Sequence, residues 1–203
     1  MIISLIAVAV IAYFVGGLPF GYWFVRLTLG SDIRTMGSGN IGATNVQRTA
    51  GSKAGVVVLL LDIAKGLLAV WLGSALTGNR PLGMAVAAVA VMLGHCYPAL
   101  LRFKGGKAVA CFVGAFLYIA PLAVLAVVPV FVVTAWLSRH ISLGSLVGAI
   151  VFPVFVWWIQ RPPESILVAS VMAAALILYR HKANITRLRQ GTESVFSFKG
   201  SRK

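Results

Sequence analysis

Long uncharged apolar runs recur along this chain, separated by short polar and basic segments. Ile2 to Val25 carries no charge and ends at Arg26. Similar runs cover Ala54 to Leu76, Pro81 to Leu101, Leu143 to Ile159 and Ser165 to Tyr179, with Asp62 and Lys65 inside the first of these four. A hydrocarbon core of ~30 Å takes about 20 apolar residues per helix, so each run predicts a membrane span. Ala108 to Ser138 is different: its 31 uncharged residues are too many for one ordinary span. Proline lacks an amide donor and disfavours helix at the residue before it, so Pro121 predicts a tight turn near Ile119–Pro121.

With that turn the chain has seven spans. Arg26, Arg34, Arg48, Lys53, Arg102, Lys104, Lys107, Arg139 and the seven basic residues from Arg180 onward then share one side, against Arg80 and Arg161 on the other. An excess of Lys and Arg marks the cytoplasmic side. The expected architecture is therefore all-α: a polytopic membrane protein with seven transmembrane helices, its N-terminus outside and its C-terminus cytoplasmic. One integral membrane domain over residues 1–203 is expected. No Lys or Arg precedes the first run, which reads as a span and not as a cleavable leader. Gly17–Gly21, Gly51–Gly55 and Gly144–Gly148 have the spacing that lets helices pack closely.

Composition sharpens this picture. Apolar residues make up 60% of the chain and charged ones 11%, which excludes a soluble globule. The net charge of +14 is confined to loops, unlike the charge-rich faces of a nucleic-acid binder. Four acids in total cannot build the aspartate cluster that magnesium phosphotransfer needs. Cys96 and Cys111 provide neither a disulfide framework nor zinc-ligand spacing. No metal and no cofactor is expected.

Three polar segments fall on the expected cytoplasmic side. The first, Asp32 to Arg48, contains Gly37-Ser38-Gly39-Asn40-Ile41-Gly42-Ala43-Thr44-Asn45. Closely spaced glycines let backbone amides converge on an anion, and a following helix N-terminus adds its dipole. A helix beginning just after Ser38 would put Asn40, Thr44 and Arg48 on one face. The second segment runs from Gly94-His95 to Lys104-Gly105-Gly106-Lys107, two lysines around a glycine turn. The spacing is not that of a Walker loop, and the lysines fit either a phosphate cradle or lipid headgroups. The third, His181 to Glu193, follows the last span; His181 and Asn184 share a face if the helix continues. Arg187 and Arg189 fit a basic tail lying on the membrane surface. Asp62 and Lys65, three apart within a span, are expected to form an ion pair. No histidine has an aspartate five residues on, and no Ser–His–Asp triad can be assembled from these loops. What remains is a cationic, metal-free site opening toward lipid, and acyl transfer between phosphate-bearing substrates is the simplest reaction it fits.

The runs GSGNIGATNVQRT (Gly37–Thr49), GH…P…FKGGK (Gly94–Lys107) and HKANITRLRQGTE (His181–Glu193) resemble the three motifs of the bacterial acyl-phosphate:glycerol-3-phosphate acyltransferases. LPFGYW, DIR and DIAKG are similar to secondary signatures of that family. Ala108 and Cys111 depart from it, standing where glycine and threonine are usual. The resemblance implies an enzyme of the bacterial inner membrane with its active site on the cytoplasmic side. It implies transfer of a fatty acyl group from acyl phosphate to the 1-hydroxyl of glycerol 3-phosphate. Lysophosphatidic acid and phosphate are the implied products, in phospholipid synthesis. By motif position, Ser38, Lys107, His181 and Asn184 are the implied catalytic residues. Gly39, Asn40, Thr44, Asn45, Arg48, Lys104, Gly105 and Gly106 are expected to bind substrate. The expected partners are the two substrates and membrane lipids, with no nucleic acid and no obligate protein partner. A phosphate or organophosphate transporter is the competing class. It would call for broken helices in corresponding halves, and no internal repeat is found. A lipid-binding structural subunit would leave the clustered Asn, Thr and His residues without a purpose.

Overall fold

The structure, a computed structural model, describes residues 1–196. Lys199, Arg202 and Lys203, counted above among the cytoplasmic charges, lie outside the described residues. Ten α-helices follow one another: α1 (Ile2–Gly16), α2 (Phe20–Leu29), α3 (Ala43–Ala50), α4 (Ser52–Leu76), α5 (Pro81–Cys96), α6 (Val109–Ile119), α7 (Pro121–Ser138), α8 (Ile141–Phe155), α9 (Glu164–Arg180) and α10 (Lys182–Arg189). Five segments are long and apolar enough to cross a membrane: Ile2–Leu29, Ser52–Leu76, Pro81–Leu101, Pro121–Ser138 and Ile141–Gln160. A sixth is α9 with α10, bent by 56° at His181.

The long apolar stretch breaks at Ala120, between α6 and α7, where Pro121 was expected to stop a helix. Its first limb has only 11 residues, about 16 Å at 1.5 Å per residue. Five or six helices are thus of crossing length, with α6 a short apolar helix beside them.

Helix contacts rest on small residues, as expected where lipid supplies no hydrophobic drive for helices to associate. Of the predicted pairs, Gly21 meets the Ile41 carbonyl oxygen of the loop before α3 and Gly144 that of Phe131 in α7, but the tightest helix–helix contacts lie at other glycines. A Cβ on Gly114 of α6 would collide with the Ile63 carbonyl oxygen of α4, and one on Gly66 with the Cys111 carbonyl oxygen. Gly51 lies in no helix face at all; its φ of +92° forms the corner between α3 and α4.

The break between α1 and α2 leaves the Leu18 carbonyl without a helical partner, and Lys65 Nζ of α4 donates to it at 2.8 Å. Lys65 also lies 2.8 Å from Asp62 Oδ1, and both side chains are only 3% exposed. The expected ion pair therefore forms, and it ties the kinked first segment to the centre of the bundle. The Tyr13 hydroxyl donates to the Tyr97 carbonyl at 2.6 Å, fixing α1 to the end of α5.

Replacing Gly114 by Val puts a branched side chain against backbone. We expect a loss of about 1–3 kcal/mol, read as a lower melting temperature of the detergent-solubilised protein, with Gly148→Val much less affected because Gly148 faces only side-chain atoms at 3.5 Å and beyond.

Candidate active site

The first polar segment folds around one side chain, Asn45, which is 1% exposed. Its Oδ1 accepts from the Ser38 amide at 2.9 Å, and its Nδ2 donates to the Met36 and Asn40 carbonyls at 3.0 and 2.8 Å. Gly39 has a φ of +70° and its amide donates to the Met36 carbonyl at 2.9 Å. The Gly42 amide donates to Asn40 Oδ1 at 2.8 Å. The amides of Ser38, Gly39 and Gly42 are thus consumed within the loop and do not converge on an anion, contrary to the sequence expectation. The helix begins at Ala43 and not just after Ser38, so Asn40 lies in the loop and does not share a helical face with Thr44 and Arg48. Asn45 acts as the frame of the loop. Ser38, Asn40, Thr44 and Arg48 still line one cavity, to which Gly39 does not contribute.

The second segment is a turn clamped onto the end of α5. The Gly105 and Gly106 amides donate to the Cys96 and His95 carbonyls at 3.2 and 3.0 Å. Their own carbonyls accept from Arg180 Nη2 and Nε at 3.0 and 2.9 Å. A Cβ on Gly106 would strike the His95 ring. The two glycines therefore place Lys107 and do not line the cavity, and Lys104 is exposed outside it. Lys107 points inward, and its Nζ donates to Asn184 Oδ1 at 2.5 Å. Ala108, one residue on, is buried with a φ of +59°, a left-handed conformation that suits the family's usual glycine better than alanine.

The third segment does not continue α9 straight on. It bends at His181, yet both His181 and Asn184 are buried and line the same cavity. His181 Nδ1 donates to the Ile177 carbonyl at 2.8 Å, which leaves Nε2 as a lone-pair acceptor. Burial, and after it the Lys107 charge, pulls the ring down to about 4, so it stays neutral.

Three residues here, Glu193, Arg187 and Ser142, escaped the sequence reading. Glu193 Oε1 accepts from Asn184 Nδ2 at 2.6 Å and from Ser142 Oγ at 2.8 Å, and Oε2 accepts from Arg187 Nε at 2.7 Å. Burial alone would raise Glu193, but the Ser142, Asn184 and Arg187 hydrogen bonds outweigh it and hold the carboxyl below the usual carboxylate range. Arg187, expected in a surface tail, lines the cavity instead, while Arg189 is exposed as expected. The signal available was scarcity: Glu193 is one of four acids in the chain and lies among cations. Ser142, at the start of α8, gave no such signal.

The chain Glu193–Asn184–Lys107 fixes the amide of Asn184 with its oxygen toward the ammonium. Burial brings Lys107 down to about 8, partly offset by the Glu193 charge and reinforced by Arg187, Arg48 and Arg180. Around these groups the cavity encloses about 600 Å³. It continues from Ser38, Arg48, Lys107, His181 and Asn184 into an apolar slot walled by α4, α6, α7 and α8. Cationic head and apolar slot together suit a phosphate attached to, or reacting beside, a hydrocarbon chain. Asp62, His95 and Cys111 bring ligand-type atoms within 4.8 Å of one another. A metal ion there would lie beside the Lys65 ammonium, which already compensates Asp62.

This combination defines an integral membrane protein built to handle an anionic headgroup and an acyl chain. The sequence family described as glycerol-3-phosphate acyltransferase matches residues 6–191, and the chain belongs to it. It is 45% identical over 186 residues to the glycerol-3-phosphate acyltransferase of Syntrophotalea carbinolica, covering 91% of this chain and 94% of that one. It is 44% identical to that of Geobacter sulfurreducens, covering 97% and 99%. The fold matches the crystal structure of the integral membrane glycerol 3-phosphate acyltransferase PlsY (YgiH) in its glycerol 3-phosphate form, with a TM-score of 0.90, 35% identity and 96% of each chain covered. The lysophosphatidic acid form of the same enzyme matches with a TM-score of 0.87.

Because Lys107 is charged below about 8 and neutral above it, kcat/KM for an anionic substrate is expected to fall as pH rises through that value. An anion bound beside the ammonium favours its charged form, so the corresponding limb of kcat should lie at higher pH. A pH profile of the initial rates checks this, and a flat profile between pH of about 7 and 10 would contradict it. Glu193→Gln should lower activity and move the same limb, since it removes the charge opposing the effect of burial on Lys107.

Proposed function

We propose that the protein is a single-domain membrane acyltransferase that moves a fatty acyl group from acyl phosphate to the 1-hydroxyl of glycerol 3-phosphate. The products are lysophosphatidic acid and phosphate, in the first acylation of phospholipid synthesis. The observation that carries this reading is that one cavity joins Lys107, Arg48, Ser38, His181 and Asn184 to an apolar slot. Glycerol-3-phosphate acylation is the function carried by the family to which the chain belongs.

Acyl phosphate is a mixed anhydride with an activated carbonyl, so the protein's work is positioning and charge stabilisation. Lys107 and Arg48 neutralise the phosphates of the two substrates. The Ser38 hydroxyl hydrogen-bonds a phosphate oxygen or the developing oxyanion. His181 Nε2 accepts a hydrogen bond from the 1-hydroxyl and aims its oxygen at the carbonyl carbon. The new C–O bond forms, the bond from carbonyl carbon to phosphate oxygen breaks, and phosphate departs. The hydroxyl proton leaves on that phosphate, a better acceptor than an imidazole pulled down to about 4. Asn184, held by Glu193, keeps Lys107 aligned throughout.

We place the site on the cytoplasmic side of the bacterial inner membrane, with the N-terminus outside and the C-terminus in the cytoplasm. The short helix α6 counts here as the seventh transmembrane element. The clustering of Arg26, Lys53, Arg102, Lys104, Arg139 and Lys182 on the turns and helix ends at the site's end of the bundle supports this orientation. Both substrates are reached without an obligate protein partner.

Purified protein in detergent, given a fatty acyl phosphate and glycerol 3-phosphate, should release phosphate and form lysophosphatidic acid. Lys107→Ala should cost about 10²–10³ in kcat/KM, the size of a lost oxyanion or phosphate donor. Turnover needs no gradient, so absence of product in detergent, with uptake of phosphate into vesicles, would favour a transporter instead.

A further inference from the structure

The turn that presents Lys107 is held in a shape its own residues disfavour. Arg102, Phe103 and Ala108 have φ values of +53°, +61° and +59°, and none of them is glycine. Backbone of that kind persists where the surroundings over-determine it. One edge of the turn is tied locally, its amides donating to the Cys96 and His95 carbonyls at the end of α5. The other edge is held from a distant part of the chain. Arg180, the last residue of α9, lays its guanidinium across both glycine carbonyls, Nη2 on Gly105 and Nε on Gly106. The guanidinium in turn rests on the Tyr97 ring, whose centroid lies 4.9 Å from Cζ, and the Tyr97 carbonyl is pinned by Tyr13. A planar fork serves two neighbouring acceptors and stacks on an aromatic face at once, which an ammonium cannot do.

We propose that Arg180 is a positioning residue for acyl transfer: by clamping the Gly105–Gly106 turn it sets where Lys107 stands relative to His181 and Asn184. The proposal rests on the reading that this site transfers an acyl group. Arg180 does not line the cavity, so it acts through Lys107 and not on substrate. Its chain neighbour is His181, which does line it, and Asn184 follows in the first turn of α10. One side chain thereby locks the second polar segment to the third beside the point where their functional groups meet, Lys107 Nζ on Asn184 Oδ1. Its charge acts as well. Around Lys107, Glu193 favours the ammonium, Arg187, Arg48 and Arg180 oppose it, and the His181 ring is neutral. Clamp and charge are separable: Arg180→Lys keeps the charge without the fork, and Arg180→Gln discards the charge.

The test measures initial rates of the detergent-solubilised protein with a fatty acyl phosphate and glycerol 3-phosphate across pH, beside the melting temperature of each variant. Arg180→Lys is expected to lower kcat by about tenfold to a hundredfold, the scale of misplacing a reacting group by about an ångström. The alkaline limb of its kcat/KM profile should stay where the parent has it. Arg180→Gln is expected to lower kcat as well and to move that limb to higher pH, because a charge opposing the Lys107 ammonium is gone. An arginine that merely braces the fold would lower the melting temperature and leave the limb in place. Parent-like kcat in Arg180→Lys would overturn the clamp, even with a raised KM for glycerol 3-phosphate, which would make Arg180 a phosphate ligand instead. An unmoved limb in an active Arg180→Gln would overturn it too, and Arg180→Lys decides alone if that variant does not fold. No turnover by the unaltered protein would sink the reaction itself, and this proposal with it.

Discussion

Lys107 must remain an ammonium while half-buried at the mouth of an apolar slot, and the polar contacts around Asn184 serve that requirement. Removing a cation from water costs several kcal/mol unless partners compensate. Asn184 supplies an oxygen, Glu193 supplies the remote charge and orients Asn184, and Ser142 and Arg187 hold Glu193. One carboxylate serves a neighbourhood containing Arg48, Lys107, Arg180 and Arg187. Arg187 is satisfied by Glu193 and Arg180 by the glycine carbonyls, so the surplus positive charge falls on Lys107 and Arg48. An anionic substrate completes the neutralisation, and its phosphates are what that surplus is shaped to meet.

The bundle around this centre is asymmetric. α4 and α6 are drawn together by Gly66 and Gly114, and α1 approaches α5 through Gly16 and Gly94. α7 and α8 pack on each other and not on α4, leaving an apolar wedge between the two groups. The wedge opens at the charged centre, so tight packing on one side of the protein creates the room for hydrocarbon on the other. The Asp62–Lys65 pair keeps the kinked first segment in register with the tight side.

Much of this was legible in the chain. Apolar runs located the spans, and Pro121 located the break in the long stretch. Ser38, Arg48, Lys107, His181 and Asn184, drawn from segments far apart in sequence, do share one cavity. The sequence misled where a residue could serve either ligand or backbone. Asn45, Gly39, Gly105 and Gly106 look like anion binders, but their polar groups are used to shape turns, and no local pattern separates the two uses. Ser142 and Arg187 were missed because their roles exist only once Glu193 folds back between α8 and α10. The tightest helix–helix contacts, at Gly16, Gly94 and Gly114, were not foreseen because spacing along one helix says nothing about which neighbour presents a bare carbonyl.

The abbreviated α6 has a mechanical consequence. A hydrocarbon core is ~30 Å thick, about twice the ~16 Å rise of the 11-residue α6. The lysine at its mouth is held by the glycine turn clamped between α5 and Arg180, while α7 carries the chain onward from Ala120. Bilayer thinning or thickening is absorbed by tilt of the longer helices. Lys107 is fixed by the clamp on its own turn and not by the length of α6, so its place beside Asn184 does not depend on how far that helix reaches.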